Sequence, residues 1–486
     1  MNSLREKAAN GAAWSAIDNL ASLGISFLVG IILARLLSPD EYGLIGIITI
    51  FTTIFTKIVD SGFTNALIRK IDATDEDYNT VLITNVTISI ILYLVLFISS
   101  SQIASFFDRP QLTSLTRVMS LIIIINSFVI VQKARLTKRI DFKTQTKISL
   151  IASIASGVLG ITMALKGLGV WSLVGQQLSR EFFNASLLWI YGKWKPTIIF
   201  SYKSFKELFG FGWKLLVSTL IGNLWQQGYK FVIGKFYAPV TLGLYTRAEQ
   251  FSSLFSSNLT GVVQRVSYPV LSSIQNDPIR LKNVYKRVIK STMLLTFFCM
   301  LMLIAVAKPL ILVLLGEKWS PCVPFLQIVS LQMMLYPLHA INLNMLQVQG
   351  RSDLFLRLEI LKRSIAIIPI ILGVLVDIYW MLWGSVIIGF VDYYLNAFYS
   401  GKLLGYSMWQ QIKDIIPDFL VAGACAGIVY LLVFVCSNNL FLLVSQILLG
   451  LIMGIILCEC FGLQEYLELK EVVVDFYKKL TNKHER

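Results

Sequence analysis

Apolar runs of about twenty residues recur along most of the chain, and no other feature constrains the fold as strongly. Twenty residues of α-helix rise about 30 Å, the thickness of a bilayer's hydrocarbon core. A chain of 486 residues that is 56% hydrophobic and 15% charged cannot cover that much apolar surface in water. It reads as an all-α integral membrane protein. Fourteen transmembrane helices are expected, at about 11–34, 42–68, 79–106, 113–134, 146–165, 169–191, 208–236, 241–271, 288–315, 322–349, 356–376, 380–401, 415–436 and 440–461. The first run is too long for a signal peptide, lacks a small-x-small cleavage site and is followed by more spans. The connections are short. Even the longest, around Lys193 to Lys206, is too small to be a domain.

Basic residues set the orientation. With the N-terminus inside, Lys and Arg gather on alternate connections. Lys133, Arg135, Lys138 and Arg139 share one, Lys193, Lys195, Lys203 and Lys206 another, and Lys470, Lys478 and Lys479 lie in the tail. The outside connections hold few. The net charge of +15 therefore needs no nucleic acid, because basic loops facing anionic lipid account for it. The six cysteines show no metal-ligand or CxxC spacing and read as small hydrophobes. His339 reads as a packed helix residue, and His484 lies in the polar tail.

One corner occurs twice. IILARLLSPDEYGL, from Ile31, and FVIGKFYAPVTLGL, from Phe231, both join two long apolar runs. Pro39, Gly43 and Leu44 of the first match Pro239, Gly243 and Leu244 of the second, and Arg35 matches Lys235. Proline cannot extend the helix before it, and glycine lets two helix ends approach closely. A second pairing sets Arg135 and Lys147 against Arg351 and Arg363. A third sets Trp171 against Trp380 and Trp383, each opening the sixth span of its half. Such repetition points to a duplicated bundle. Six spans return the chain to its starting side, so the two lobes are expected to be parallel repeats about a pseudo-twofold axis along the membrane normal. The expected division is a six-helix lobe at 1–200, a second at 201–405, two additional helices at 406–462, and a cytoplasmic tail at 463–486. Within the tail, Gln464 to Lys479 has roughly helical periodicity; a helix lying on the inner surface and a solvated tail are both open readings.

The segments ARLLSPDEYG (34–43), VDSGFTNALIRK (59–70), GKFYAPVTLGLYTRAEQF (234–251) and VSYPVLSSIQND (266–277) resemble the polysaccharide-exporter branch of the MOP flippase superfamily. That branch includes the Wzx-type flippases and colanic-acid-exporter-like proteins. The resemblance implies two lobes facing each other in a V around a central cavity. It implies export of polyprenyl-pyrophosphate-linked oligosaccharide across a bacterial inner membrane, with both termini cytoplasmic. A polymerase and a chain-length protein are the partners such a pathway would supply; the oligomeric state is left open.

Ionisable side chains at membrane depth are costly, which makes each a functional candidate. The deepest are Asp18, Lys57, Asp60, Arg180, Glu181, Arg247, Glu249 and Asp392. Lys57 and Asp60, three residues apart, can pair on one helix face. For an anionic diphosphate cargo, Lys57, Arg180 and Arg247 are the candidate ligands, the arginines by bidentate contacts. Arg247 leads the set because it lies just beyond the second corner. Asn223, Gln226, Gln227 and Asn258 can hydrogen-bond sugar hydroxyls, and Trp225 can stack on a sugar face; interhelical hydrogen bonds are the alternative for the four amides. Asp18, Asp60, Glu181, Glu249 and Asp392 are candidates for coupling transport to Na+ or H+. No metal and no cofactor is expected, and the chain reads as a transporter, not an enzyme.

Two other classes compete. A membrane polymerase or glycosyltransferase acting on the same lipid-linked sugars usually needs a sizeable outside loop with carboxylates. Here those loops are short, with acids only at Asp40, Glu41, Asp108, Glu317 and Asp377. A lipid II flippase or cation-coupled drug antiporter of the same superfamily is the other; a basic excess argues against a cationic cargo but does not separate one diphosphate lipid from another. With no Gly-rich phosphate loop, HExxH or nucleophile elbow, an ATP-driven pump is excluded.

Overall fold

The computed structural model describes residues 2–468, 470 and 471, and among them it contains helices and no strand. The first compact unit closes at Gly243. It contains α1 (Asn2–Leu36), α2 (Pro39–Asp60), α3 (Phe63–Arg69), α4 (Asp75–Phe106), α5 (Leu112–Met119), α6 (Leu121–Lys138), α7 (Phe142–Leu165), α8 (Trp171–Gly192), α9 (Tyr202–Phe236) and the first turn of α10 (Pro239–Ser273). The second unit begins at Leu244. It holds the rest of α10, then α11 (Pro278–Ala305), α12 (Ala307–Leu314), α13 (Cys322–Met334), α14 (Tyr336–Val348), α15 (Ser352–Ile365), α16 (Ile367–Leu375), α17 (Ile378–Leu404), α18 (Met408–Leu431) and α19 (Asn439–Cys460). The units divide at Gly243, where the repeat argument expects residue 200, because α9 packs on α2, α3 and α4. The rest of the tail, including residues 472–486, lies outside the described residues.

Nine helical stretches among the described residues are long and apolar enough to cross a membrane. They are Pro39–Arg69, Asp75–Phe106, Leu112–Lys138, Phe142–Leu165, Pro278–Ala305, Cys322–Val348, Ile378–Leu404, Met408–Phe434 and Asn439–Cys460. The expected spans at about 11–34, 169–191, 208–236 and 241–271 also fall on helix, on α1, α8, α9 and α10; α8, α9 and α10 are long enough to cross but less apolar, and the apolar stretch of α1 is the shorter Ala21–Leu36. The span at 356–376 is divided between α15 and α16. Helix satisfies every backbone group within the chain, which hydrocarbon demands. The outward faces fit the same solvent: Ile98, Ile154, Leu448 and Ile452 are each more than half exposed.

Each unit has its own core. In the first, Phe63, Leu67, Val81, Val131 and Leu208 pack together where α3, α4, α6 and α9 meet. Small residues bring α7 against its neighbours, with Gly157 on Val29 of α1 and Gly160 on Gln176 of α8. In the second, Tyr285, Ile289, Met293, Met345 and Tyr393 are fully or almost fully buried. A polar knot crosses that core. Asn342 Oδ1 accepts from Tyr285 at 2.9 Å, from Ser400 at 2.5 Å and from Gln411 at 3.3 Å, tying α14 to α11, α17 and α18. Buried polar groups are tolerated when paired in this way. All six cysteines are free, three of them buried.

The first corner is a helix start. Ser38 caps α2 in a capping box: its backbone N–H donates to Glu41 Oε2 at 2.6 Å, and its hydroxyl accepts from Glu41 N–H. Pro39 occupies the first helical position, and Asp40 and Glu41 sit at the positive end of the helix dipole. Glu41 is thus committed to its own helix. The two corner motifs meet within the first unit. A Cβ on Gly43 would strike the Pro239 carbonyl, and a Cβ on Gly243 would strike the Pro39 carbonyl. The contact is reciprocal between the matched residues.

The expected helix at 42–68 is interrupted. Ser61 and Gly62 both take left-handed backbone conformations, with φ of 45° and 72°. Gly212 of α9 crosses at the break, so close that neither Gly62 nor Gly212 has room for a Cβ. Lys70, just past α3, is gripped by Asp77 and Glu207, each at 3.0 Å, which ties α3 to the starts of α4 and α9.

Candidate functional site

Most of the charged and amide candidates gather on helices outside the nine apolar stretches. Asp18 is on α1, Arg180 and Glu181 on α8, Asn223 to Gln227 on α9, and Arg247, Glu249 and Asn258 on α10. A helix that carries so many polar groups at membrane depth needs water or protein beside it instead of lipid.

In the first unit, Lys57 is exposed on α2 and Arg180 is half-buried on α8. Neither has an ion-pair partner among the described residues. The Lys57–Asp60 pair does not form. Asp60 is the last residue of α2, and its Oδ1 accepts from the Thr64 N–H at 3.1 Å and the Thr64 hydroxyl at 2.7 Å. It therefore staples the start of α3 and leaves Lys57 alone. Asp18 is likewise occupied: it accepts from the hydroxyls of Ser22 at 3.1 Å and Ser149, joining α1 to α7. Glu181 is half-buried.

The amides divide. The Asn223 side chain donates to its own helix at Thr219 O, 2.8 Å away, and Gln226 is exposed. Asn258, exposed on α10, donates to Leu254 O at 3.1 Å. Among the described residues neither asparagine side chain bridges two helices, and each uses its amide N–H as a donor to its own helix. Gln227 is buried, and its Oε1 has no hydrogen-bond partner among the described residues. Trp225 is half-buried.

Arg247, the leading candidate on sequence, is placed differently. Only 6% of it is exposed. Its Nη1 donates to Gln250 Oε1 at 2.6 Å, and its guanidinium carbon lies 5.9 Å from the ring centre of the fully buried Trp319. That packing anchors α10 to the turn after α12. Glu249 is half-buried.

Asp392 on α17 has a buried Oδ1 without a hydrogen-bond partner among the described residues. It lies within electrostatic reach of Lys362, Arg363 and Glu359 on α15. Lys362 is 7% exposed and pairs with Glu359, which also takes Arg363 at 3.0 Å. Lys362 and Arg363 both fall within the span expected at about 356–376. Their spacing from Glu359, three and four residues, was the available sign of a shared helix face. An acid that the sequence reading does not single out is Asp418 on α18, fully buried, with neither oxygen hydrogen-bonded among the described residues. No group of three or more His, Cys, Asp or Glu among the described residues could hold a metal ion.

A family profile described as polysaccharide biosynthesis protein matches residues 32–324. The teichuronic acid biosynthesis protein TuaB of Bacillus subtilis (strain 168) is 25% identical over 437 residues, covering 88% of this chain and 90% of that protein. The lipopolysaccharide biosynthesis protein WzxC of Escherichia coli (strain K12) is 23% identical over 446 residues, covering 90% of each. Among solved structures, the lipid II flippase MurJ in an inward closed conformation superposes with a TM-score of 0.74 at 15% identity, over 93% of this chain and 98% of MurJ. At that identity the superposition speaks for the fold alone. Because the profile spans more than half of its length, this multi-pass membrane chain belongs to the polysaccharide biosynthesis protein family.

Proposed function

We propose that the chain carries a polyprenyl-diphosphate-linked oligosaccharide repeat unit from the inner to the outer leaflet of the cytoplasmic membrane, by alternating access, for surface polysaccharide synthesis. The observation that carries this reading is the pair Lys57 and Arg180, two cations within the helical bundle that no carboxylate among the described residues neutralises. An embedded cation without an internal counter-ion calls for water or an anionic guest. A diphosphate supplies charge and several acceptor oxygens, and arginine binds it in bidentate fashion. Arg247 is the weaker member of the set, since Gln250 and Trp319 already engage it. Asn223, Gln226, Gln227 and Asn258 hydrogen-bond the sugar, and Trp225 stacks on a sugar face. Asp392 leads the acids for coupling to H+ or Na+, because it alone of the five has a buried oxygen with no donor among the described residues. The reading takes the chain as two six-helix lobes followed by two further helices, with both termini cytoplasmic.

The test is a strain from which the protein is depleted. Lipid-linked repeat units should accumulate, stay protected from an impermeant oxidant added to spheroplasts, and disappear on complementation. Repeat units that reach the outer leaflet unpolymerised would replace this reading with a polymerase. Accumulated lipid II would replace it with a peptidoglycan-precursor flippase.

A further inference from the structure

The connection between α8 and α9 is short, irregular and firmly fixed. Trp194 is buried, with its indole N–H on Asp75 Oδ1 at 3.0 Å and its ring 5.1 Å from the Arg135 guanidinium. Asn79 clamps Thr197 twice, accepting from the Thr197 N–H at 2.8 Å and donating to its hydroxyl at 2.7 Å. The Ser201 N–H donates to Thr80 Oγ1 at 3.0 Å. Asn79 and Thr80 are themselves buried, so three points of the connection are held by the first turns of α4.

Between the last two of those points the chain turns its apolar side chains outward. Ile198 is 100% exposed, and Ile199 and Phe200 are about half exposed. Because the backbone on both sides is pinned, these residues cannot fold back to hide. Lys193, Lys195, Lys203 and Lys206 flank them along the chain, two on each side, all exposed. Asp75 and Glu207 are already engaged, with Trp194 and Lys70 respectively. An exposed apolar tip flanked by exposed lysines is the pattern of a surface that enters the boundary between headgroups and acyl chains. The site is also close to that boundary by construction, since it caps two long helices of a membrane protein. Charge selects the occupant: the flanking lysines match lipid phosphates, and each contributes to attraction toward an anionic surface.

We infer that residues 193–206 form a binding site for anionic glycerophospholipid, with Ile198, Ile199 and Phe200 in the acyl boundary and the four lysines on the phosphates. The site fixes the depth of the first unit at this end. It is separate from the proposed cargo cations, and it holds whether or not the cargo is a polyprenyl diphosphate.

The experiment places photoreactive benzoylphenylalanine at the tip, Ile198→benzoylphenylalanine, in the full chain reconstituted in vesicles of equimolar phosphatidylglycerol and phosphatidylcholine. Adducts are read by intact mass. The expected result is a lipid adduct favouring phosphatidylglycerol by about fivefold or more. That preference should fall to about onefold when Lys193, Lys195, Lys203 and Lys206 are all replaced by Gln. The same probe at Ile452, on the lipid-facing side of α19, should label both lipids alike. Tyr202→benzoylphenylalanine is a second placement should the first disturb folding. A tip that labels no lipid, labels both headgroups equally, or labels a second protein overturns the inference.

Discussion

Two exposed or half-exposed cations and one buried cation should respond differently to truncation. Replacing Lys57 or Arg180 with Ala removes a charged donor that has no internal ion pair among the described residues. Neither change should lower thermal stability, and each should reduce export by about tenfold or more, since hydrogen bonds to charged groups contribute about 1.5–3 kcal/mol. Arg247→Ala instead strands Gln250 and uncovers Trp319, which should cost about 1–3 kcal/mol of stability and lower the unfolding midpoint in detergent. Measuring surface polysaccharide against membrane abundance separates the two outcomes. An Arg247 variant as stable as wild type but inactive would restore it as the leading cargo ligand. The membrane depth of these residues was legible in the sequence, because depth follows from distance to the span ends. Their surroundings were not. Arg247 bonds to Gln250 on its own helix, and Trp319, which its guanidinium also approaches, lies far along the chain. Lys57 seemed paired because spacing predicts a partner at three residues, but spacing does not reveal that the helix ends there. Lys70 titrates outside the spans. Burial alone would lower its pKa, yet hydrogen bonds to Glu207 and Asp77 outweigh it and hold the ammonium above its ordinary 10.5. The stabilisation from this clamp is therefore complete below about pH 10 and lost as pH rises through the raised value. The difference in unfolding midpoint between wild type and Lys70→Met should be constant from about pH 7 to 9 and shrink as pH rises through the raised value.

Among the helices, the matched corners carry the sharpest consequence. Gly43 and Gly243 each face the backbone carbonyl of the other corner's proline, with no room for a methyl group. Backbone cannot swing aside as a side chain can. Gly43→Ala and Gly243→Ala should each cost about 1–3 kcal/mol, the usual range for overpacking a tight contact. Because one shift of the crossing relieves both clashes, the double variant should cost less than the sum. Thermal unfolding of the four proteins measures this, and strict additivity would mean the two glycines do not share a crossing. The glycine-for-proline fit explains why the same short motif stands at both places in the sequence. Lengths and apolar runs foretold most of these helices. They did not foretell the breaks at Ser61–Gly62 or at Ala366. Glycine is tolerated inside membrane helices, so Gly62 alone is ambiguous; what settles it is Gly212 arriving from α9.

For the whole molecule, the all-helical membrane fold was readable because hydrocarbon leaves few solutions for a backbone. Cargo is a finer matter, since a family of polysaccharide biosynthesis proteins shares a fold while its sugars differ. If Lys57 and Arg180 hold the anionic end of the cargo, selectivity should reside more in the phosphates than in the sugar. That can be read in vesicles containing the purified protein and a polyprenyl lipid bearing the same sugar through either a diphosphate or a monophosphate. Losing one phosphate removes charge-assisted acceptors from a site that should need both, which predicts a slower initial flipping rate by about tenfold. The Lys57→Ala, Arg180→Ala double variant should be slow on both lipids and lose the preference. Raising salt should narrow the wild-type preference, because Lys57 is exposed and Arg180 only half-buried, and accessible charges are screened. Equal rates on the two lipids would leave the embedded cations without a role in cargo choice and shift the search to the amides on α9 and α10.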